Sequence, residues 1–98
     1  RIISPKSIQM MTNPYTKQRI EYGFYSGFDY GFSYFNLQNP ILDGTGSTKG
    51  IYGWSGYHNT HFWIDPQKKL YCIFMSRTTP YSSDIQRSLR ASIYSKMN

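Results

Sequence analysis

The sequence predicts an α+β fold: an antiparallel β-sheet of three to four strands, flanked by a short N-terminal helix and an amphipathic C-terminal helix. Three observations carry that prediction. Residues 53–66 are rich in Trp, Tyr, Phe, Thr and Ile, which suit a pleated surface, while Gly53 and Gly56 disfavour helix. Asp65-Pro66 closes the second extended segment of that stretch, and polar Gln67-Lys68-Lys69 precedes a new apolar run at Leu70, the pattern of a β-hairpin. Near the C-terminus Ile85, Leu89 and Ile93 recur every four residues, with Met97 continuing the stripe, the signature of a helix with one apolar face.

Taken in order, Ser4 is a good N-cap, Pro5 suits the first helical position, Ile3 can staple onto Ile8, and Asn13-Pro14 ends the helix. Residues 15–21 are polar and read as a loop. From Tyr22 the chain is dense in Gly and aromatics. The alternation of Tyr30, Phe32 and Tyr34 with Gly31, Ser33 and Phe35 predicts one strand over residues 30–37. Residues 39–50 form a turn region. Gly44-Thr45-Gly46-Ser47-Thr48-Lys49-Gly50 within it superficially suggests a phosphate cradle, but the Gly-Lys-Ser/Thr order of a P-loop is missing and no helix is expected to follow. Residues 70–75 are apolar on both faces and predict a central strand covered on both sides. Ser83 opens the last helix with Gln86 three residues on, a capping box, and Asp84 complements the helix dipole.

Ninety-eight residues allow a single segment with a modest core, and no domain boundary or repeat divides residues 1–98. The chain opens on Arg1 and not on Met, so a segment or processed product is expected. No apolar run approaches the roughly 18 residues of a transmembrane helix, so no transmembrane segment is expected. The net charge of +6 raises the question of nucleic acid, but only Lys68 and Lys69 are adjacent among the eleven Lys and Arg. The charge reads as solubility, and no nucleic-acid partner is expected. Cys72, the one cysteine, cannot form an internal disulfide and reads as a small buried hydrophobe. His58 and His61 have H-x-x-H spacing, but on a strand these positions point to opposite faces; no metal and no cofactor are expected.

One stretch carries a resemblance. Tyr52-Gly53-Trp54-Ser55-Gly56, followed by Thr60-His61-Phe62-Trp63-Ile64-Asp65-Pro66, resembles the third-motif strand and following hairpin of the serine β-lactamase-related hydrolases, the class C β-lactamase-like, esterase-like and DD-peptidase-like proteins. The Ser-Pro-led helix ahead of it and the Gly-aromatic strand fit the same family. Trp54 stands at the Lys of the usual Lys-Thr-Gly motif, Ser55 at the Thr and Gly56 at the Gly. The resemblance covers roughly the last quarter of a usual member and implies the C-terminal part of a β-lactamase/transpeptidase-like fold.

It also implies a division of labour. Such enzymes form an acyl-serine from a Ser-x-x-Lys helix, assisted by a Tyr-x-Asn or Ser-x-Asn loop. Neither motif occurs here: Ser92 to Lys96 is one residue too long, and Ser33 to Asn36 places Asn three residues after Ser. The chain therefore holds no nucleophile and alone is expected to be inactive. By resemblance Ser55 offers a hydroxyl to substrate, Gly56 admits substrate to the strand backbone, and Tyr57 N–H is one of two oxyanion-hole donors. Trp54 removes a cation that grips substrate carboxylates, which favours ester-like substrates; it reads also as an aromatic packed beside the strand. Tyr57, His58 and Asn59 replace small residues and are expected to crowd the site. The expected partners are a small-molecule ester or amide substrate in the intact parent and the remainder of the β-lactamase-like domain. The alternative is a truncated or degenerate non-catalytic homologue acting as a binding or structural module.

Overall fold

Capping chemistry starts the chain as its sequence requires. In the computed structural model, which describes residues 2–13 and 27–97, the Ser4 hydroxyl accepts from Ser7 N–H at 3.1 Å and Pro5 opens helix α1, Pro5–Thr12. The loop expected at residues 15–21 and the Gly-aromatic run at 22–26 lie outside the described residues. The remaining elements are β1 (Phe28–Tyr30), β2 (Phe35–Leu37), one-turn helix α2 (Pro40–Asp43), β3 (Tyr52–Ser55), β4 (His61–Asp65), β5 (Leu70–Phe74) and α3 (Ser83–Met97). The strands form one antiparallel sheet in the order β1-β2-β3-β4-β5. The α+β class is as the sequence predicts, with five strands among the described residues in place of three to four.

The added strand comes from residues 30–37, which are not one strand. The chain turns at residues 31–34, where Gly31 N–H donates to Tyr34 C=O at 2.8 Å and Ser33 adopts φ 67. Gly31 is needed at this turn, because a Cβ there would overlap the Asn13 carbonyl at the end of α1. Residues 39–50 also hold more order than a turn region: the Asn39 side chain caps α2 by accepting from Leu42 N–H at 3.1 Å, and Gly44 ends it in the left-handed conformation.

Register assigns the two faces of the sheet. Ser55 pairs with His61, Gly53 with Trp63, and these with Phe74 and Cys72, so their side chains share the face that α3 covers. Phe28, Phe35, Leu37, Ile51, Trp63 and Tyr94 form the core on that side, with Cys72, Leu89 and Ile93 packed at its margin. Cys72 is thus half-buried, and burial raises its thiol pKa. Tyr52, Trp54, Phe62, Ile64, Tyr71 and Ile73 occupy the opposite face. There Asn36 Nδ2 donates to Thr12 C=O at 2.6 Å and Phe32 N–H to Met11 C=O at 3.1 Å, holding α1 over one end. Residues of α1 are only half-buried at best; Ile3 and Ile8, the expected staple, are both exposed.

Two expectations about burial are corrected. β5 is an edge strand, not a central one: among the described residues it pairs with β4 alone, and Tyr71, Ile73 and the following Met75 are 73%, 63% and 76% exposed. Its apolar character on both faces reflects core packing by Cys72 on one side and an apolar surface left open on the other. Helix α3 buries Gln86, Arg90 and Tyr94, while Ile85 and Met97 of the expected stripe are exposed. The capping box fails for the same reason: Gln86 turns into the interior, and Ser82 Oγ accepts from Asp84 N–H at 3.2 Å instead.

Gly53 sets the spacing of β3 against β4. A Cβ at this position would overlap the Phe62 carbonyl oxygen and crowd the Trp63 backbone, neither of which can swing aside as a side chain could. We expect Gly53→Ala to lower unfolding free energy by about 1–3 kcal/mol, the usual cost of forcing atoms into a packed interior. A urea titration of the variant that matches the parent midpoint would refute this account of the spacing.

Candidate functional site

β3 carries the Trp54-Ser55-Gly56 sequence out of the sheet interior to the β3–β4 hairpin at residues 56–60. Gly56 N–H donates to Thr60 C=O at 2.9 Å and Asn59 N–H to Gly56 C=O at 3.2 Å, so the hairpin's own backbone bonds do not involve Tyr57 N–H. Tyr57 is 76% exposed, with its ring edge-on to His58. Asn59 takes the turn's left-handed position (φ 66) and is buried, so it does not crowd the site as expected but faces the segment ahead of α3. Trp54 lies on the open sheet face, its ring meeting the edge of Tyr30 at 5.3 Å. A cleft of about 310 Å3 begins here, lined by Trp54, Ser55, Gly56, Phe62, Ile73 and Met75 among others.

Ser55 points the other way, toward α3. Its Oγ lies 2.7 Å from His61 Nδ1 and donates to Gln86 Oε1 at 2.8 Å. On the far side of the imidazole, Arg90 Nη1 lies 3.3 Å from His61 Nε2. A guanidinium only donates, so Nε2 accepts, the ring is neutral, and its proton sits on Nδ1, donated toward Ser55. Burial holds the His61 pKa down to about 3, reinforced by the Arg90 charge and opposed by a hydrogen bond to the Trp54 backbone. Ser55 and His61 are close enough to look like a nucleophile and its base, yet the imidazole accepts nothing from the serine and is a poor base. In this arrangement they form a structural pair.

The same helix face holds a buried ion cluster that the sequence reading passed over. Asp43 Oδ1 receives Arg87 Nη1 at 3.1 Å and Arg90 Nη2 at 3.2 Å, and the Thr45 hydroxyl donates to Oδ2. Arg87 Nη2 also donates to the Asp43 carbonyl at 2.6 Å. The Arg90 guanidinium lies 5.3 Å from the Phe28 ring centroid. One turn further along α3, Tyr94 OH donates to Asp65 Oδ2 at 2.6 Å and accepts from Trp63 Nε1 at 3.3 Å. Burial works to raise the Asp65 carboxyl, but hydrogen bonds from Tyr94, Lys68 N–H, Thr48 and Gln67 N–H outweigh it and leave the pKa below the usual range. Burial and the Asp65 contact push the Tyr94 phenol well above its usual range.

A signal for these residues was present. Ser55, His61 and Asp65 occupy the helix-facing side of the hairpin by simple alternation, and Gln86, Arg90 and Tyr94 recur every four residues on α3. Two polar periodicities on elements that pack together mark a buried network. His58 and His61 are not brought together, since His58 is exposed beside Tyr57 and His61 lies beneath α3. Among the described residues no group of three His, Cys, Asp or Glu side chains is placed to hold a metal ion, and no helix is long and apolar enough to cross a membrane. In comparisons with known proteins, no family model matches the chain and no curated protein is significantly similar to it.

Proposed function

We propose that this chain is the C-terminal portion of a β-lactamase-like serine hydrolase, supplying the third-motif strand but not the nucleophile. The observation that carries the reading is the place of β3. Its Trp54-Ser55-Gly56 end opens onto a cleft beside an apolar sheet face that, among the described residues, only α1 partly covers. Exposed Tyr71 and Ile73 continue that face to the edge strand, forming a groove of about 430 Å3 with Phe62, Ile64 and Pro66, while exposed Met75 lines the cleft at the end of β3. An apolar surface of this kind suits a second layer of structure, and the remainder of a β-lactamase-like domain is the layer the resemblance supplies.

In that domain an acyl-serine forms on a serine outside this chain, and ester or amide substrate lies along the end of β3. Gly56 lets substrate approach the backbone, and Tyr57 N–H stabilises the developing oxyanion, a contribution of about 2.7–4 kcal/mol per donor in the transition state. Trp54 presents an aromatic surface where the family's usual motif has a cation, which suits an ester without a carboxylate. The engagement of the Ser55 hydroxyl by Gln86 and His61 favours a second reading, a degenerate homologue whose β3 serves structure or binding without catalysis.

The test is hydrolysis of p-nitrophenyl acetate by the intact protein and by the 98-residue chain, each with a serine-directed phosphonate as trap. We expect turnover and a labelled Ser-x-x-Lys serine upstream of Arg1 in the intact protein, and neither in the chain alone. An upstream sequence without Ser-x-x-Lys would leave the non-catalytic reading; a labelled serine within residues 1–98 would overturn the assignment of the nucleophile.

A further inference from the structure

Two polar anchors tie the end of β3 to the start of α3, and they bracket the backbone on which the proposed chemistry depends. The first is Ser55 to Gln86, whose Nε2 donates in turn to Tyr81 OH at 2.6 Å, so both ends of the Gln86 amide are engaged. The second is Asn59, which accepts from Ser82 N–H at 2.8 Å and donates to Thr78 C=O at 2.9 Å and Pro80 C=O at 3.2 Å. Between them lie only Gly56, Tyr57 and His58. Gln86 and Asn59 are 3% and 5% exposed, so each interaction is made away from water, where a satisfied polar group fixes one geometry and an unsatisfied one is costly. Neither residue belongs to the apolar core cluster. Both anchors act on the direction in which the hairpin leaves the sheet.

We propose that Gln86 and Asn59 are positioning residues for the third-motif wall, holding the Gly56-Tyr57 backbone in place from the C-terminal helix side. The catalytic part of this inference rests on the reading of β3 given above; the mechanical part does not. Gln86 acts through Ser55, and Asn59 acts through the turn. Neither touches the cleft, which is lined from the β3, β4 and β5 side. The C-terminal helix is thereby more than a cover for the core, since its first turn sets the orientation of a backbone donor one strand away.

The experiment uses the intact protein with four variants: Gln86→Leu, Gln86→Glu, Asn59→Gly and Ile85→Ala. Gln86→Glu keeps an oxygen for the Ser55 hydroxyl, Asn59→Gly keeps the left-handed turn while removing the side-chain anchor, and Ile85→Ala controls for a general loosening of α3. Amide hydrogen exchange and p-nitrophenyl acetate kinetics are read on the same samples. We expect Gln86→Leu and Asn59→Gly to speed exchange at Ser55 and Gly56 about tenfold, with β1 and β2 unchanged, and to lower kcat about tenfold at nearly constant KM, as misplacement of a reacting geometry does. Gln86→Glu should recover most of both effects, and Ile85→Ala should show neither. Uniform acceleration of exchange across all strands, or unchanged exchange at Ser55 and Gly56, would overturn the proposal. If the parent itself hydrolyses no ester, the hydrolase reading fails, and the exchange pattern alone decides whether the anchors hold this backbone.

Discussion

Asp43→Ala should destabilise the chain by about 3–5 kcal/mol, the range for removing one partner of a buried ion pair. Asp43 is fully buried and its two guanidinium partners differ sharply: the Arg90 side chain is 1% exposed, while that of Arg87 is 37% exposed. Without the carboxylate Arg87 can turn to water. Arg90 cannot, because it is held against the Phe28 ring and His61, and its charge stays in the core after losing the Asp43 carboxylate. Since a domain of this size has about 5–15 kcal/mol of total stability, the variant should lose a large part of it and melt at least 10 °C lower. Arg87→Ala should cost under about 1 kcal/mol, as half-exposed pairs do. Joint replacement, Asp43→Leu with Arg90→Met, should restore much of the loss, because burying neither charge avoids their desolvation. Urea unfolding of these variants decides the matter. A loss below about 1 kcal/mol for Asp43→Ala, or a double variant no better than the single, would show that Arg90 is compensated in some other way.

The same cluster explains which parts of the fold were legible from residues alone. The α+β class, the cap at Ser4, the β3–β4–β5 hairpins and the existence of α3 follow from local chemistry: a hydroxyl ahead of a proline, aromatic segments broken by Gly, Asp-Pro closing a strand. The Asp65 carboxylate even accepts from Lys68 N–H at 3.0 Å, as an Asx turn should. What failed was the facing of α3. Hydrophobic periodicity assigns Ile85, Leu89, Ile93 and Met97 inward, and it leaves Gln86, Arg87, Arg90 and Lys96 mostly off that stripe. The helix is instead rotated by about one residue, or roughly 100°, because the sheet presents polar partners there: Ser55, His61 and Asp65 from the hairpin, joined by Asp43 from α2. Leu89 and Ile93 remain at the margin of the core, so the apolar stripe was displaced and not lost.

Two strand errors have different causes. Over residues 30–37 the alternation of Tyr30, Phe32 and Tyr34 is real, but Gly31 and the left-handed Ser33 let the chain reverse, and a period of two carries no information about reversal. At β5 the error was one of context. An apolar run on both faces signals that both are meant to be covered; in this chain the register places Tyr71 and Ile73 over an open face at a sheet edge. Of the candidate site, Trp54 and Ser55 close β3, and Gly56 and Tyr57 open the hairpin that follows. Gln86 was missed as a partner of Ser55 because it lies 31 residues away on an element whose facing had been misread.

Mild acid should destabilise the folded chain through His61, and the sign follows from where the proton would go. In the unfolded chain a histidine titrates near 6.5; in the fold the His61 pKa is held at about 3, because burial and the adjacent Arg90 charge both disfavour imidazolium. Between those values the unfolded state binds a proton that the folded state refuses. Stability is therefore complete above about pH 6.5 and falls as pH drops below it, approaching about 1.4 kcal/mol per pH unit for this one group. Asp65, whose carboxyl is depressed in the fold, adds loss in the same direction, but only as pH nears the ordinary carboxylate value of 3.8. The window from pH 6.5 to 5 thus falls within the His61 range and above that of Asp65. Groups facing the ring set its behaviour: Arg90 supplies the opposing charge, the Ser55 hydroxyl lies 2.7 Å from Nδ1, and the Phe35 ring stacks with its centroid 5.7 Å away. Unfolding free energies from urea titrations at pH 7, 6 and 5 should decline in the parent. They should be nearly flat for His61→Gln, which has no proton to gain. A parent equally stable at pH 7 and 5 would mean that the imidazole takes its proton within the fold, which would require Arg90 to move away from it and the helix to give up its contact with the hairpin.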